Sequence, residues 1–284
     1  MENTNFGSDS PGRLKAPRRD ADRRPSTLRL HDPTLADAYC SSAEAHPCPL
    51  PSQDDGVARS QCDGHHPETA NGGWTAGRLA GELGVTSATV RLLRPPPLGR
   101  PLDVVRGDGE VQLRDGDGVL ATAWPDRLDL DPQPPVPVAE ASAAACSYPG
   151  AAEHPYADCF VCGPARRPGD GMRISAGRIG AGRVAGVWVP DGDMVRPEFV
   201  WAALDCPTAF AVDGFDETML LGTITASVDA LPHPGEPHVV VGWEIGREGR
   251  KRWTGGALYD AAGRLLARSR LTWIVLRREP AAAG

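Results

Sequence analysis

Lysine is almost missing from this chain: Lys15 and Lys251 are the only two among 284 residues. Positive charge is in deficit overall, with a formal net charge of -7. A general nucleic-acid or anionic-membrane partner is therefore not expected, because phosphates need a basic face. Long apolar runs are absent as well. None approaches the roughly 20 residues that span a bilayer, and Met1 to Asp20 holds no apolar stretch of the kind that directs secretion. Seven cysteines, an odd number scattered over a long chain, suit a reducing compartment better than a disulfide framework. These absences lead us to expect a cytoplasmic, non-membrane protein. No GxSxG elbow and no HExxH motif occurs, which lowers the odds of a serine hydrolase or a zinc protease.

What is present falls into segments. Residues 1–56 mix Pro, Ser, Asp and Arg without a sustained apolar period and are expected to be a disordered tail. A first structured unit is expected over 57–125. Trp74, Ala76, Leu79, Ala80 and Leu83 recur at helical spacing, and Gly84 is a natural stop. An extended stretch around Leu102 to Val105 comes after a Pro-rich turn. Asp115-Gly116-Asp117-Gly118 then makes a hairpin turn into Val119 to Trp124. Residues 126–150, rich in Pro and Ala, read as a linker. The second unit, 151–278, repeats the order: a helix from Phe199 to Val212 with Pro197 in its first turn, then strands over Ile224 to Val228, Val239 to Ile245, Trp253 to Tyr259 and Arg264 to Leu276. Residues 279–284 close the chain as a short tail.

Three anchors support a duplication. Gly99-Arg100-Pro101 corresponds to Gly235-Glu236-Pro237, Gly118-Val119-Leu120 to Gly263-Arg264-Leu265, and Trp74 to Trp201. A helix apolar on most faces must be wrapped, and a curved sheet can wrap it. One such unit leaves an open edge that a second copy can pair with. The expected fold class is α+β, with two central helices wrapped by a continuous antiparallel β-sheet.

With Asn71-Gly72-Gly73-Trp74, Arg94-Pro95-Pro96-Pro97-Leu98, Cys159-Phe160-Val161-Cys162-Gly163-Pro164 and Ala203-Leu204-Asp205-Cys206-Pro207, the chain resembles the hotdog superfamily. In particular it resembles the double-hotdog, thioesterase-like proteins. The resemblance implies a tandem hotdog acting on acyl-CoA or acyl carrier protein thioesters, without a cofactor, and is compatible with homo-oligomers built through the hotdog units. The superfamily also includes dehydratases and non-catalytic relatives, so fold narrows the substrate class more than the reaction.

Thioester hydrolysis needs a group to polarise the carbonyl and another to activate water. Asn71, Gly72 and Gly73 sit where the unpaired N–H groups of a helix start would serve the first need, although an ordinary Asn cap explains the same residues. Asp205 is the candidate for the second. An aspartate suits an apolar helix poorly unless it faces a cavity or a partner, and Pro207 should break the helix nearby. In similar hotdog enzymes an acidic residue on the central helix has this role; the plain alternative is a cap for the turn from Thr208 onward. Arg78 stands at about the equivalent place in the first helix, with Glu82 a turn later, so at most one composite site is expected. Thr223 and Thr225 are candidates to hold the water, against a reading as ordinary strand residues. Arg250 and Arg252, within the basic cluster 247–252, are candidates for coenzyme phosphates, against a solvated hairpin tip. Cys159 and Cys162 form a single CxxC, whereas zinc commonly takes two such pairs, so no metal is expected. Gly180-Ala181-Gly182 fits a dinucleotide loop only loosely, since it opens an alternating strand. Three functions remain: hydrolysis, non-catalytic acyl-thioester binding, and enoyl-CoA hydration or dehydration. The last is disfavoured because neither expected helix holds a histidine.

Overall fold

The computed structural model describes residues 26–29, 69–212 and 218–276. Eleven strands form one sheet: β1 (Ser26–Arg29), β2 (Ser87–Leu92), β3 (Pro101–Arg106), β4 (Val111–Asp115), β5 (Gly118–Pro125), β6 (Gly177–Gly180), β7 (Arg183–Trp188), β8 (Met219–Val228), β9 (His238–Glu248), β10 (Lys251–Tyr259) and β11 (Leu265–Val275). Four helices accompany them: α1 (Gly72–Gly81), α2 (Val138–Ala144), α3 (Pro197–Ala203) and α4 (Cys206–Ala209). No helix among the described residues is long and apolar enough to cross a membrane.

The strand order is β1-β3-β4-β5-β2-β8-β11-β10-β9-β7-β6, with every described pairing antiparallel. Around the β2–β8 seam this order is a palindrome. Strand β8 answers to β2, β11 to β5, β10 to β4, β9 to β3 and β7 to β1, and β6 is an added edge. The seam pairs Ala88 with Ala226 and Val90 with Ile224, and all four are fully buried. The sequence anchors fall at matching corners. Gly99 and Gly235, which precede β3 and β9, have φ of 76° and 74°. A side chain is rarely tolerated in that left-handed region, which explains the glycine in both copies.

Each helix owes its limits to local chemistry. Asn71 caps α1 through its side-chain Oδ1, which accepts from the Trp74 N–H at 2.8 Å, and Gly84 turns the chain away with φ of 66°. Pro197 opens α3. The single helix expected over Phe199 to Val212 is instead two pieces. Asp205, with φ -87° and ψ -101°, lies between α3 and α4. Pro207 has no N–H to continue the ladder, so the break falls just before it.

Two expectations about connecting segments need correction. Ser26–Arg29, inside the expected tail, pairs with β3, and Leu28 is buried in the main core; the remainder of 1–56 lies outside the described residues. The 126–150 stretch is more than a linker. Ala141 of α2 joins Val239, Val241, Trp243, Ala257 and Tyr259 in a second core, with Leu130, Val136 and Val138 packed against it. Tyr259 donates its hydroxyl to the Gln133 carbonyl at 2.5 Å, and Arg268 donates to that of Leu130 at 3.2 Å. The segment thus covers the sheet face opposite the central helices, where uncovered apolar residues would meet water.

Helices α1 and α3 pack closely because glycine faces the contact. A Cβ at Gly77 would lie 2.6 Å from Glu198 Cα and 2.9 Å from Trp201 Cβ. Replacing Gly77 with Ala should therefore lower unfolding free energy by about 1–3 kcal/mol in urea titration. Exposed Gly81, with nothing within 4 Å of such a Cβ, supplies the contrast. There, Gly→Ala should be neutral or stabilise by up to about 1 kcal/mol. Equal effects at both positions would contradict this packing.

Candidate active site

The antiparallel approach of α1 and α3 sets the start of α1 against the break after α3. A Cβ at Gly73 would lie 2.8 Å from the Trp201 carbonyl oxygen and would overlap Asp205 Cβ. Only a glycine allows the two backbones to come this near. The Asp205 carboxylate consequently reaches the helix start: its Oδ2 accepts from the Gly73 N–H at 2.8 Å and from Asn71 Nδ2 at 3.1 Å. Asn71 works twice, capping the helix through its oxygen and holding the carboxylate through its nitrogen. Of the four residues expected to carry chemistry, Asn71, Gly73 and Asp205 are joined directly, and Gly72 adjoins them.

Asp205 is 2% exposed, and its second oxygen, Oδ1, has no hydrogen-bond partner among the described residues. Burial pushes its carboxyl up to about 7, against the opposing pull of the Gly73 N–H and the Asn71 amide. Desolvation outweighs hydrogen bonding, so the proton is held far more readily than on an ordinary aspartate. A carboxylate fixed on one oxygen and without a partner on the other has a lone pair to offer a water that reaches it. Asn71 and Gly72 are half-buried, with Leu221 and Leu92 beside Gly72.

The geometry narrows the expected oxyanion donors. Gly73's N–H is committed to Asp205 and Trp74's to the Asn71 cap, which leaves Gly72 as the helix-start donor that neither residue engages. The threonines are not brought to this site. On β8 they alternate with Ile224 and Ala226, which face the main core, so Thr223 and Thr225 project from the other side of the sheet. Thr225 shares a 2.6 Å hydroxyl contact with Thr89, which donates to Asp126 at 2.6 Å. That chain across the seam is structural, and it corrects the expected water-holding role.

The two arginines separate. Arg252 is buried, and its Nη1 donates to the carbonyls of Gly249 and Lys251 at 2.8 and 3.0 Å. It braces the β9–β10 hairpin instead of offering a free guanidinium. Arg250 at the tip is exposed. The tip lies at the same end of the sheet as Leu221, because Arg252 pairs with Trp273 and Trp273 with Leu221.

At the place related to this site by the sheet's palindrome, the chemistry differs. Arg78 and Arg196 flank buried Glu198 with N···O distances of 3.5 and 3.3 Å. There the acid faces two cations through its Oε1. Cysteines read from the sequence as packing residues lie on the Asp205 side instead: Cys206 Sγ is 3.3 Å from Asn71 Nδ2 and 3.4 Å from Cys159 Sγ. Its adjacency to Asp205 in sequence is the available signal.

No family model matches the chain, and no curated protein matches it in sequence. Among solved structures, a protein of Novosphingobium aromaticivorans provisionally assigned as a thioesterase has 13% identity and a TM-score of 0.51, over 75% of this chain and 91% of its own. A tesB protein of Mycobacterium avium subspecies paratuberculosis has 16% identity and a TM-score of 0.48, over 74% and 88%. A hotdog-fold protein of Alicyclobacillus acidocaldarius has 15% identity and a TM-score of 0.47, over 76% and 90%. The likeness is one of fold, to thioesterase-like hotdog proteins.

Asn71 should show its two duties separately. Asn71→Ala removes the cap and should cost about 1–2 kcal/mol in denaturant unfolding. Asn71→Ser, which restores a capping oxygen but cannot reach Asp205, should recover most of that loss. If serine fails to recover it, the cap is not what Asn71 contributes to stability.

Proposed function

We propose that the protein is a tandem hotdog that hydrolyses acyl thioesters at a single site. The observation that carries the reading is the Asp205 carboxylate, buried, anchored on Oδ2 by Gly73 and Asn71, and without a hydrogen-bond partner on Oδ1 among the described residues. Asp205 takes a proton from a water as that water attacks the thioester carbonyl. The charge that develops on the carbonyl oxygen is met by the Gly72 N–H at the positive end of α1. The C–S bond then breaks, and the departing thiolate recovers the proton from Asp205. Leu92 and Leu221 offer an apolar bed for the first carbons of the acyl chain, and exposed Arg250 offers a charge for the phosphates of coenzyme A or an acidic carrier protein. The palindromic strand order supports the tandem arrangement, and the Arg78–Glu198–Arg196 cluster supports loss of the second site.

One observation favours a second reading, non-catalytic acyl-thioester binding. The Gly73 N–H that would have completed a two-donor oxyanion hole is already spent on Asp205. Hydration of an enoyl thioester has less support, since α1, α3 and α4 hold no histidine to pair with the acid.

A series of short to long acyl-CoAs, followed with a thiol-reactive dye, should reveal turnover. Asp205→Asn should lower kcat by roughly 10²–10⁴ while the circular dichroism spectrum is kept. Acyl-CoAs that bind without ever being hydrolysed would favour the second reading. Turnover unchanged by the substitution would remove Asp205 from the mechanism.

A further inference from the structure

Beside this carboxylate lies a group of sulfurs that the hydrolysis does not use. Cys159, Cys162 and Cys206 come from two distant segments, yet their three Sγ atoms all lie within 4.8 Å of one another. The Cys159–Cys206 separation is 3.4 Å. Three thiolates at the corners of a tetrahedral zinc site, with Zn–S bonds near 2.3 Å, stand about 3.8 Å apart. The cluster is thus already close to the spacing a zinc ion imposes.

The loop carrying the first two cysteines is shaped for a metal. In the run Cys159-Phe160-Val161-Cys162-Gly163, the backbone N–H groups of Val161 and Cys162 point at the Cys159 sulfur, and the Gly163 N–H closes the turn onto the Cys159 carbonyl at 2.9 Å. A side chain at Gly163 would collide with the backbone of Ala157 and Cys159. Backbone donors aimed at a sulfur favour its thiolate, the form that ligates metal. Three negative sulfurs in a buried place require a compensating positive charge.

We propose that Cys159, Cys162 and Cys206 bind one zinc ion. The ion displaces the thiol protons of the three cysteines into solvent, each Zn–S bond forming as an S–H bond breaks, with no change in oxidation state. His154 stands 3.4 Å from the Cys162 sulfur through Nε2, while its Nδ1 accepts from the Tyr156 N–H at 2.9 Å. Nε2 therefore carries the hydrogen and donates to a metal-bound thiolate, supporting it from outside the coordination shell. Water takes the fourth position. Soft thiolates with no carboxylate in the set suit zinc over magnesium or calcium. The ion would pin the 159–162 loop to the first residue of α4, next to Asp205. This assignment does not rest on the hydrolysis reading, because its readout is metal content and not turnover.

Elemental analysis of the full chain, purified without chelator, should give about one zinc per molecule. Cobalt exchanged for zinc should show thiolate-to-cobalt charge transfer and the visible bands of a tetrahedral site. Cys159→Ser and Cys162→Ser should each lose metal more than tenfold. Cys146→Ser, which changes an exposed thiol outside the cluster, should retain it. Zinc below a tenth of an equivalent combined with a cobalt form lacking thiolate bands would overturn the proposal. So would stoichiometric copper or iron in place of zinc, or a Cys159–Cys206 disulfide found in freshly purified protein by non-reducing peptide mapping.

Discussion

The contact between the Gly73 N–H and the Asp205 carboxylate organises the centre of this molecule. It exists only because residue 73 has no side chain, which lets the start of α1 lie against the end of α3. That approach satisfies a donor that every helix start leaves unpaired. It also holds one oxygen of a carboxylate fast and leaves the other with no partner among the described residues. Burial raises the carboxyl's proton affinity in the same step. Close packing and the acid–base character of Asp205 thus meet in one contact.

The same contact explains why two similar halves do not make two similar sites. The strand order is symmetric about β2 and β8, and both helices bury a tryptophan. At the related junction, however, Glu198 lies between two arginines. A carboxylate paired in that way is directed at cations, not at a water. Burying both helices under one sheet constrains apolar residues strongly, whereas the polar residues at the helix ends answer to no such constraint.

The legibility of each feature in the sequence depends on the range of the interactions behind it. The β4–β5 hairpin, the α1 cap and the apolar strands of the second half depend on neighbours in sequence, and residue order predicts them. The composite of Asn71, Gly73 and Asp205 is also legible, because an aspartate beside a proline in an apolar helix and an Asn-Gly-Gly helix start both conflict with plain packing. Strand β1 escapes a reading of residue order because four residues without strong alternation become a strand only through pairing with β3. Helix α2 escapes it because its surroundings are rich in proline and it folds against a distant sheet face. The expectation for the threonines is off by one pleat, a difference settled by which face Ile224 and Ala226 bury. Counting CxxC pairs along the chain cannot bring Cys206 to Cys159, since 47 positions separate them.

The central claim is that one chain holds one thioester site, at the junction of Gly72, Gly73 and Asp205. A crystal structure with a non-hydrolysable acyl-CoA thioether tests it most directly. The account predicts one ligand per chain, with its sulfur-bearing segment beside Gly72 and the unpartnered oxygen of Asp205 and its phosphates toward Arg250. A ligand seated at the Arg78–Glu198–Arg196 cluster, or one at each junction, would contradict it.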